Sequence, residues 1–574
     1  MTAAPGAGAA PLAAVPDAAP DDVVRAVNGV LLPGFTGTDE PPAWLDDAAR
    51  HGLAGVVLFG HNTPDVASTA RLSARLHEAS PDLLLAVDEE GGDVSRLEAV
   101  TGSSLPGSAA LGVVDDVVLT EEVGRALGRL LTATGIDLDL APDLDVNSDP
   151  DNPVIGVRSF GADPALVARH GAAFVRGLHA GGAGACGKHF PGHGATDVDS
   201  HLSLPVVDAS AEELRARDLP PFAATTGEHV APEDRLDALM TAHVVVPALG
   251  PLPGTLEPAV ADLARSLGFT GPVVTDALDM GALAPYAHGF DATRDANENA
   301  HDDAAGDEGT THAVGELAVR AVEGGADLLC LGTTVGRDDE TLFRQAQLAL
   351  VAAVTSGRLT LDRLRASAAR TAATRAAIRA RQAASGVTCS PGAAQDALVA
   401  LGAVGAAAAS RAVRVVPSPA TTLPLASAPD VVDLRLRFDH AAGRTAQHVQ
   451  RALDEAFAPA APRHLRPADE DAWERALAEV AASDRPLVVL TREPVAGSGE
   501  RARLDALLAA RPGLVVVHTG FPGAVGHWFG SPPGGAVPPA VVVACGTGRA
   551  NARAAVAHLV GARPSSATGQ EVAP

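Results

Sequence analysis

The run A-G-A-C-G-K-H-F-P-G-H-G-A-T-D-V-D-S-H, Ala183 to His201, decides how this chain is read. Its first six residues, Ala183 to Lys188, are small and apolar up to a closing lysine, the pattern of a short buried strand. From Gly187 onward the composition changes: fifteen residues to His201 hold one lysine, three histidines and two aspartates. Pro191 and Gly192 forbid a continuous helix, so Lys188, His189, His193, Asp197, Asp199 and His201 belong to a folded loop. A buried strand that presents a reactive loop at its end is the unit from which the rest of the chain is built.

The same cadence recurs on both sides of this run. Before it come Val30 to Phe35, Gly55 to Phe59, Leu83 to Val87 with Asp88 at its end, and G-I-D-L-D-L-A at 135 to 141, which opens into a loop carrying Arg158. After it come Ala238 to His243, Pro272 to Thr275 with Asp276 at its end, and Ala326 to Cys330. Helix-like runs such as Ala67 to Ala79 and Ala165 to Ala180 separate them. Strands alternating with helices indicate a parallel sheet, and eight units over roughly 300 residues indicate a closed (β/α)8 barrel of TIM type, whose site lies at the strands' C-terminal ends. Asp88, Lys188, His189, His243 and Asp276 all fall at such ends.

A chain of 574 residues exceeds what one hydrophobic core organises, so a second domain is expected. The cadence returns from about Asp396 with R-V-V-P near 414, V-V-D-L near 431, P-L-V-V-L-T near 486, G-L-V-V-V-H-T-G near 513 and A-V-V-V-A-C-G near 540, which reads as a smaller α/β sandwich. The expected organisation is a disordered tail at 1–24, the barrel at 25–358, a helical linker at 359–394 containing the arginine-rich run Leu361 to Arg381, the sandwich at 395–562, and a disordered tail at 563–574. The acidic insert 287–312 reads as a mobile loop at the barrel mouth. No strand end in the second domain carries an acid, base and nucleophile set; His518 and Gly520 read as structural.

The net charge of -27 excludes nucleic acid, whose phosphates it would repel. Cys186, Cys330, Cys389 and Cys545 show no C-x-x-C spacing, so neither a zinc ribbon nor a disulfide framework is expected. Residues 1 to 20 carry no signal-peptide pattern and no later run reads as membrane-spanning, which points to the cytoplasm and to no membrane partner.

The i, i+4 spacing of His189 and His193 would suit a metal on a helix, but Pro191 and Gly192 spoil that face and no third ligand stands at zinc spacing. Neither metal nor cofactor is expected. Asp199 and His201, two residues apart, project to one side of an extended segment. A carboxylate there fixes the imidazole tautomer and leaves its other nitrogen able to give and take a proton. Asp276 supplies a second carboxylate on a neighbouring strand. A nucleophilic carboxylate opposite a proton donor is what glycosidic bond cleavage requires, with Asp276 attacking and His201 serving as acid, then base.

Four motifs in order, D-E-E-G-G-D-V-S-R at 88–96, N-P-V-I-G-V-R-S-F at 152–160, K-H-F-P-G-H-G-x-T-x-x-D-S-H at 188–201 and V-V-T-D-A-L-D-M at 273–280, resemble glycoside hydrolase family 3, in its β-N-acetylglucosaminidase branch. The resemblance spans most of the first 335 residues. It implies a retaining mechanism with a glycosyl ester on Asp276 and an Asp199–His201 dyad. It also implies that Asp88, Arg96, Arg158, Lys188 and His189 hold the sugar. His243, at the end of the sixth strand, is expected to line the same pocket. Ala277, the insert 287–312 and the weakly motif-bearing second domain depart from the branch.

The function expected is exo-acting removal of terminal β-linked N-acetylglucosamine from chitin- or peptidoglycan-derived fragments, as in peptidoglycan turnover, with a small carbohydrate as partner. A phosphorylase using the same intermediate is the alternative, because a histidine base does not repel phosphate. A bifunctional β-glucosidase is a further one. A sugar-binding module without catalysis is opposed by the presence of Asp276, Asp199 and His201 together.

Overall fold

The computed structural model describes residues 20–196, 204–288, 307–332, 338–435, 447–467, 469–530 and 537–561. Eight short strands are cut from the apolar runs: β1 (Leu31–Leu32), β2 (Gly55–Leu58), β3 (Leu84–Val87), β4 (Leu138–Asp139), β5 (Gly184–Phe190), β6 (Ala238–Thr241), β7 (Val273–Thr275) and β8 (Leu329–Cys330). β2 to β7 pair in sequence order, all parallel, and β1 pairs parallel with β8. Two joins close the ring: Thr275 N donates to Leu328 O (2.9 Å), and Val57 N donates to Pro33 O (3.0 Å).

Alternation along the strands divides the apolar residues into two layers. Leu32, Val57, Leu84, Ala86, Leu138, Cys186, Met240, Val274, Leu328 and Cys330 fill the barrel interior. Leu83, Leu85, Val87, Ala185, Leu239 and Val273 face the ring of helices outside. The interior is thus a packed core, and the chemistry is confined to its rim.

The segment expected to link the domains is part of the barrel. Helix Leu361–Ser385 begins at Thr360, whose side chain accepts from Arg363 N, and ends at Gly386 in the left-handed region. It lies across the N-terminal face, where its Ile378 enters the interior core. Its arginines meet three buried aspartates that precede strands: Arg363 and Arg370 reach Asp327 (2.9 Å each), Arg379 reaches Asp137 (2.9 Å), and Arg381 reaches Asp237 (2.6 Å). The arginine-rich run reads as a linker in sequence because its partners lie far away in the chain.

The next helix, Pro391–Ala412, packs on helices Val66–Ala79 and Val117–Ala133 of the barrel and on Arg549–Val560 of the second domain. Contrary to the expectation that no run suits a membrane, this helix is long and apolar enough to cross one by length and composition. Its apolarity comes from alanine and glycine, and Gly405 permits the closest approach: a Cβ there would lie 2.0 Å from Ser104 O.

The second domain is a six-stranded sheet of β9 (Arg414–Val416), β10 (Asp430–Asp433), β11 (Arg463–Leu465), β12 (Leu487–Thr491), β13 (Val515–His518) and β14 (Ala540–Val543). Their order is β11-β10-β12-β13-β14-β9, with only β9 antiparallel, and apolar layers cover both faces. β11, an edge strand reading R-H-L, has no apolar run to announce it. Two further expectations change. Residues 21–24, assigned to a tail, open helix Asp21–Asn28, which buries Val23, Ala26 and Val27. Within the insert, 289–306 lie outside the described residues, and the chain is helical from Asp307. All four cysteines are free, and Cys389 alone among them is exposed.

Asp327 has a fully buried side chain and also accepts from Ser367 Oγ (2.7 Å) and Val273 N (3.1 Å). Asp327→Ala should therefore destabilise the protein by roughly 3–5 kcal/mol, since it strands several arginines. Arg370→Ala, at the exposed end of the network, should cost under about 1 kcal/mol. Urea denaturation of both variants checks the contrast.

Candidate active site

β3, β4, β5 and β7 converge on one set of charges. β5 carries Lys188 and His189 near its end, where its register against β6 shifts between Gly187 and Phe190. Such an irregularity re-aims side chains at a rim. Lys188 Nζ lies 2.7 Å from Asp88 Oδ1 and 2.6 Å from Glu90 Oε1. Glu90 in turn accepts both arms of Arg158, from Nε at 2.9 Å and from a terminal nitrogen at 2.8 Å. Arg96 approaches the other oxygen of Asp88 at 3.9 Å.

Burial alone would discharge these groups, and the pairing prevents it. Desolvation works against the Lys188 ammonium, yet Asp88 and Glu90 outweigh it and hold its pKa above the ordinary lysine value. Desolvation likewise works against Glu90, whose carboxylate Arg158 and Lys188 hold below its usual range.

The chain of contacts continues into the histidines. Arg158 donates to His189 Nε2 (3.3 Å), so that nitrogen is the acceptor, and His189 Nδ1–H donates to Asp145 Oδ2 (2.7 Å). Burial, with the Arg158 guanidinium adding to it, pushes His189 down to about 4 and keeps it neutral. Asp145 also accepts His193 N at 2.6 Å and is pushed up to about 7 by burial. Asp143 is raised well above the carboxylate range by burial and by the charge of Asp145.

Asp143, Asp145 and His189 bring one ligand atom each within 4.8 Å of one another, the donor set that could hold a metal ion. Arg158, 3.8 Å from Asp143 Oδ2, already supplies positive charge there.

Asp276 follows β7 and accepts its neighbour's Ala277 N (2.7 Å) on Oδ1. It is near enough to His189 and His193 for its charge to favour protonation of both. His193 Nδ1 lies 2.9 Å from Thr196 Oγ1, whose hydroxyl donates to His193 O (3.0 Å), so Nδ1 carries the proton. Burial pushes this histidine down to about 3, with His189 next to it adding to the effect.

Six expected residues thus meet at the rim: Asp88, Arg96, Arg158, Lys188, His189 and Asp276. His243, expected to line the pocket, lies fully buried beneath it. Its Nε2–H donates to Ala277 O (2.9 Å) and its Nδ1 contacts Thr255 Oγ1 (2.8 Å), so it supports the peptide that follows Asp276. Asp199 and His201 lie outside the described residues, as does Asp197; the chain is described up to Thr196. Glu90, Asp143 and Asp145 escaped notice in the sequence. For the last two the signal was present as P-D-L-D, the same alternate-residue pairing that singled out Asp199 and His201.

Residues 39–373 match the family model described as "Glycosyl hydrolase family 3 N terminal domain". The chain belongs to glycosyl hydrolase family 3. It is therefore a glycoside hydrolase, a class that acts on O-glycosyl bonds. Among its relatives, a beta-hexosaminidase of Pseudomonas aeruginosa (strain LESB58) is 38% identical over 265 residues, 44% of this chain and 75% of that protein. Beta-hexosaminidase A of Pseudoalteromonas piscicida is 35% identical over 280 residues, 45% of this chain and 46% of that protein, so the match spans less than half of that relative. A solved family 3 beta-N-acetylglucosaminidase from Paenibacillus sp. str. FPU-7 superposes with a TM-score of 0.74 at 29% identity, covering 94% of this chain and 96% of that one. That coverage includes both domains.

Beside Asp88, Glu89 is buried, accepts Arg96 N (2.8 Å) and Leu97 N (2.9 Å), and is pushed up to about 7 by desolvation. A carboxyl group raised on folding stabilises most below its unfolded pKa near 4.5, and that contribution is lost as pH rises through about 7. Glu89→Gln should therefore flatten the fall in stability between pH 4.5 and 7, by on the order of 3 kcal/mol across that window. Urea midpoints at several pH values read the effect.

Proposed function

We propose that this family 3 protein is a retaining, exo-acting β-N-acetylglucosaminidase that releases terminal β-linked N-acetylglucosamine from chitin- or peptidoglycan-derived fragments. The observation that carries the reading is the placement of Asp276 at the end of β7, across the rim from the ordered Asp88–Lys188–Glu90–Arg158 chain. A nucleophile is useful only against a sugar held still, and immobilised donors and acceptors of this kind fix a ring for attack. The names borne by the relatives supply the sugar.

In the first step Asp276 attacks the anomeric carbon as the bond to the leaving oxygen breaks. His201, oriented by Asp199, gives that oxygen its proton, and a glycosyl ester forms on Asp276. In the second step His201 takes a proton from water, the water oxygen attacks the anomeric carbon, and the ester bond breaks to restore Asp276. Asp88 accepts sugar hydroxyls, while Arg96, Arg158 and Lys188 act as donors. Phosphate in place of water would give a glycosyl phosphate from the same intermediate, which an imidazole base permits.

An aryl N-acetyl-β-glucosaminide incubated with and without phosphate tests the reading. Free N-acetylglucosamine in both supports it, N-acetylglucosamine 1-phosphate in the presence of phosphate replaces it with a phosphorylase, and no product in either overturns it. Asp276→Asn should lower kcat/KM by at least about a thousandfold. His201→Ala should lower turnover of alkyl glycosides by roughly 10²–10⁴ and that of activated aryl glycosides far less, because a good leaving group needs no proton. Equal losses on the two substrates would remove His201 from the acid role.

A further inference from the structure

The loop after β3 makes a tight turn in which Gly91 N donates to Val94 O (3.0 Å) and Val94 N donates to Gly91 O (3.2 Å). Gly91 and Gly92 adopt φ of 81° and 60°, which the turn requires. Asp93 stands at its tip and points away from the barrel, with a side chain only 1% exposed. Both of its carboxylate oxygens are taken by the second domain. Oδ2 receives a terminal nitrogen of Arg492 at 2.6 Å, and Oδ1 receives the backbone N–H of Thr547 at 2.5 Å.

Thr547 belongs to C-G-T-G, Cys545 to Gly548, which leads from β14 into helix Arg549–Val560. A glycine-rich turn opening a helix offers amide groups and the positive end of the helix to an anion. Here the anion is the carboxylate of Asp93. The approach leaves no room for side chains: a Cβ on Gly548 would lie 2.9 Å from Gly92 O, and one on Gly546 3.1 Å from Asp93 Oδ1.

The same loop is pinned again beyond Arg96. Arg549 reaches Glu98 and Ser104 at 2.6 Å each, and Ala550 N donates to Ser103 O (3.2 Å). Asp88 and Arg96, which face the glycone in the reading above, therefore lie on a loop whose tip and far end are both fastened to the other domain. We propose that Asp93 is a positioning residue through which the second domain, by way of Arg492 and the Thr547 amide, holds Arg96 and Asp88 in place for the sugar. The proposal rests on that assignment of Arg96 and Asp88.

The test uses the full chain and an aryl N-acetyl-β-glucosaminide. Asp93→Asn and Arg492→Met should each raise KM about tenfold, the scale of one lost charge-assisted hydrogen bond, with kcat changed by less than about threefold. Arg492→Lys should recover most of the loss. In an Arg96→Ala background Asp93→Asn should add clearly less than its full tenfold, because the part of its effect that passes through Arg96 is already gone. A full further tenfold in that background, or a lowered melting temperature with KM unchanged, would overturn the proposal in favour of plain domain adhesion. Amide hydrogen exchange over residues 88–104 reads the clamp without turnover: faster exchange in Asp93→Asn supports it, and unchanged exchange overturns it. A wild-type protein without turnover would strike at the glycosidase reading, while the exchange result would still decide the clamp.

Discussion

An ammonium group buried at the rim of the barrel is the constraint on which the rest of the molecule depends. Lys188 has a side chain 2% exposed, and an unpaired lysine at that depth would lose its proton or its place. Asp88 and Glu90 keep it charged, and both must arrive from β3 while the lysine arrives from β5. Glu90 then needs Arg158 from the loop after β4. One buried charge thus dictates the relative positions of three strand ends.

The histidines continue this logic with the opposite outcome. His189 and His193 are held neutral, each with its Nδ1 proton engaged, by Asp145 and by Thr196. The rim combines groups kept charged by partners with groups kept uncharged by burial, so its protonation pattern is built in before any sugar arrives.

Much of this was legible in the amino-acid order. The strand cadence located all eight barrel strands because each is a short apolar run with punctuation, and the residues that meet at the rim were legible wherever a strand ended in one. What stayed hidden shares a cause. The importance of Glu90, Asp143 and Asp145 lies in burial and pairing, which local sequence does not express. The arginines at 363, 370, 379 and 381 looked like part of a linker helix because their aspartates stand before β4, β6 and β8. His243 sits at a strand end but one layer too deep, and β11 is an edge strand with no apolar signal.

The helix across the barrel's N-terminal face bears on synthesis. Ribosomes release the chain from its beginning, and domains fold as they emerge. The eight strands are all available by Cys330, but Ile378, which completes the interior, and the arginines that neutralise Asp137, Asp237 and Asp327 are still inside the tunnel. Until they emerge, Asp137, Asp237 and Asp327 have only His77, His179 and Arg265 as charged partners among the described residues. The sealing helix and Pro391–Ala412 come next in the chain and ahead of every strand of the second sheet, so the elements that close the barrel emerge first and the second domain is added to them.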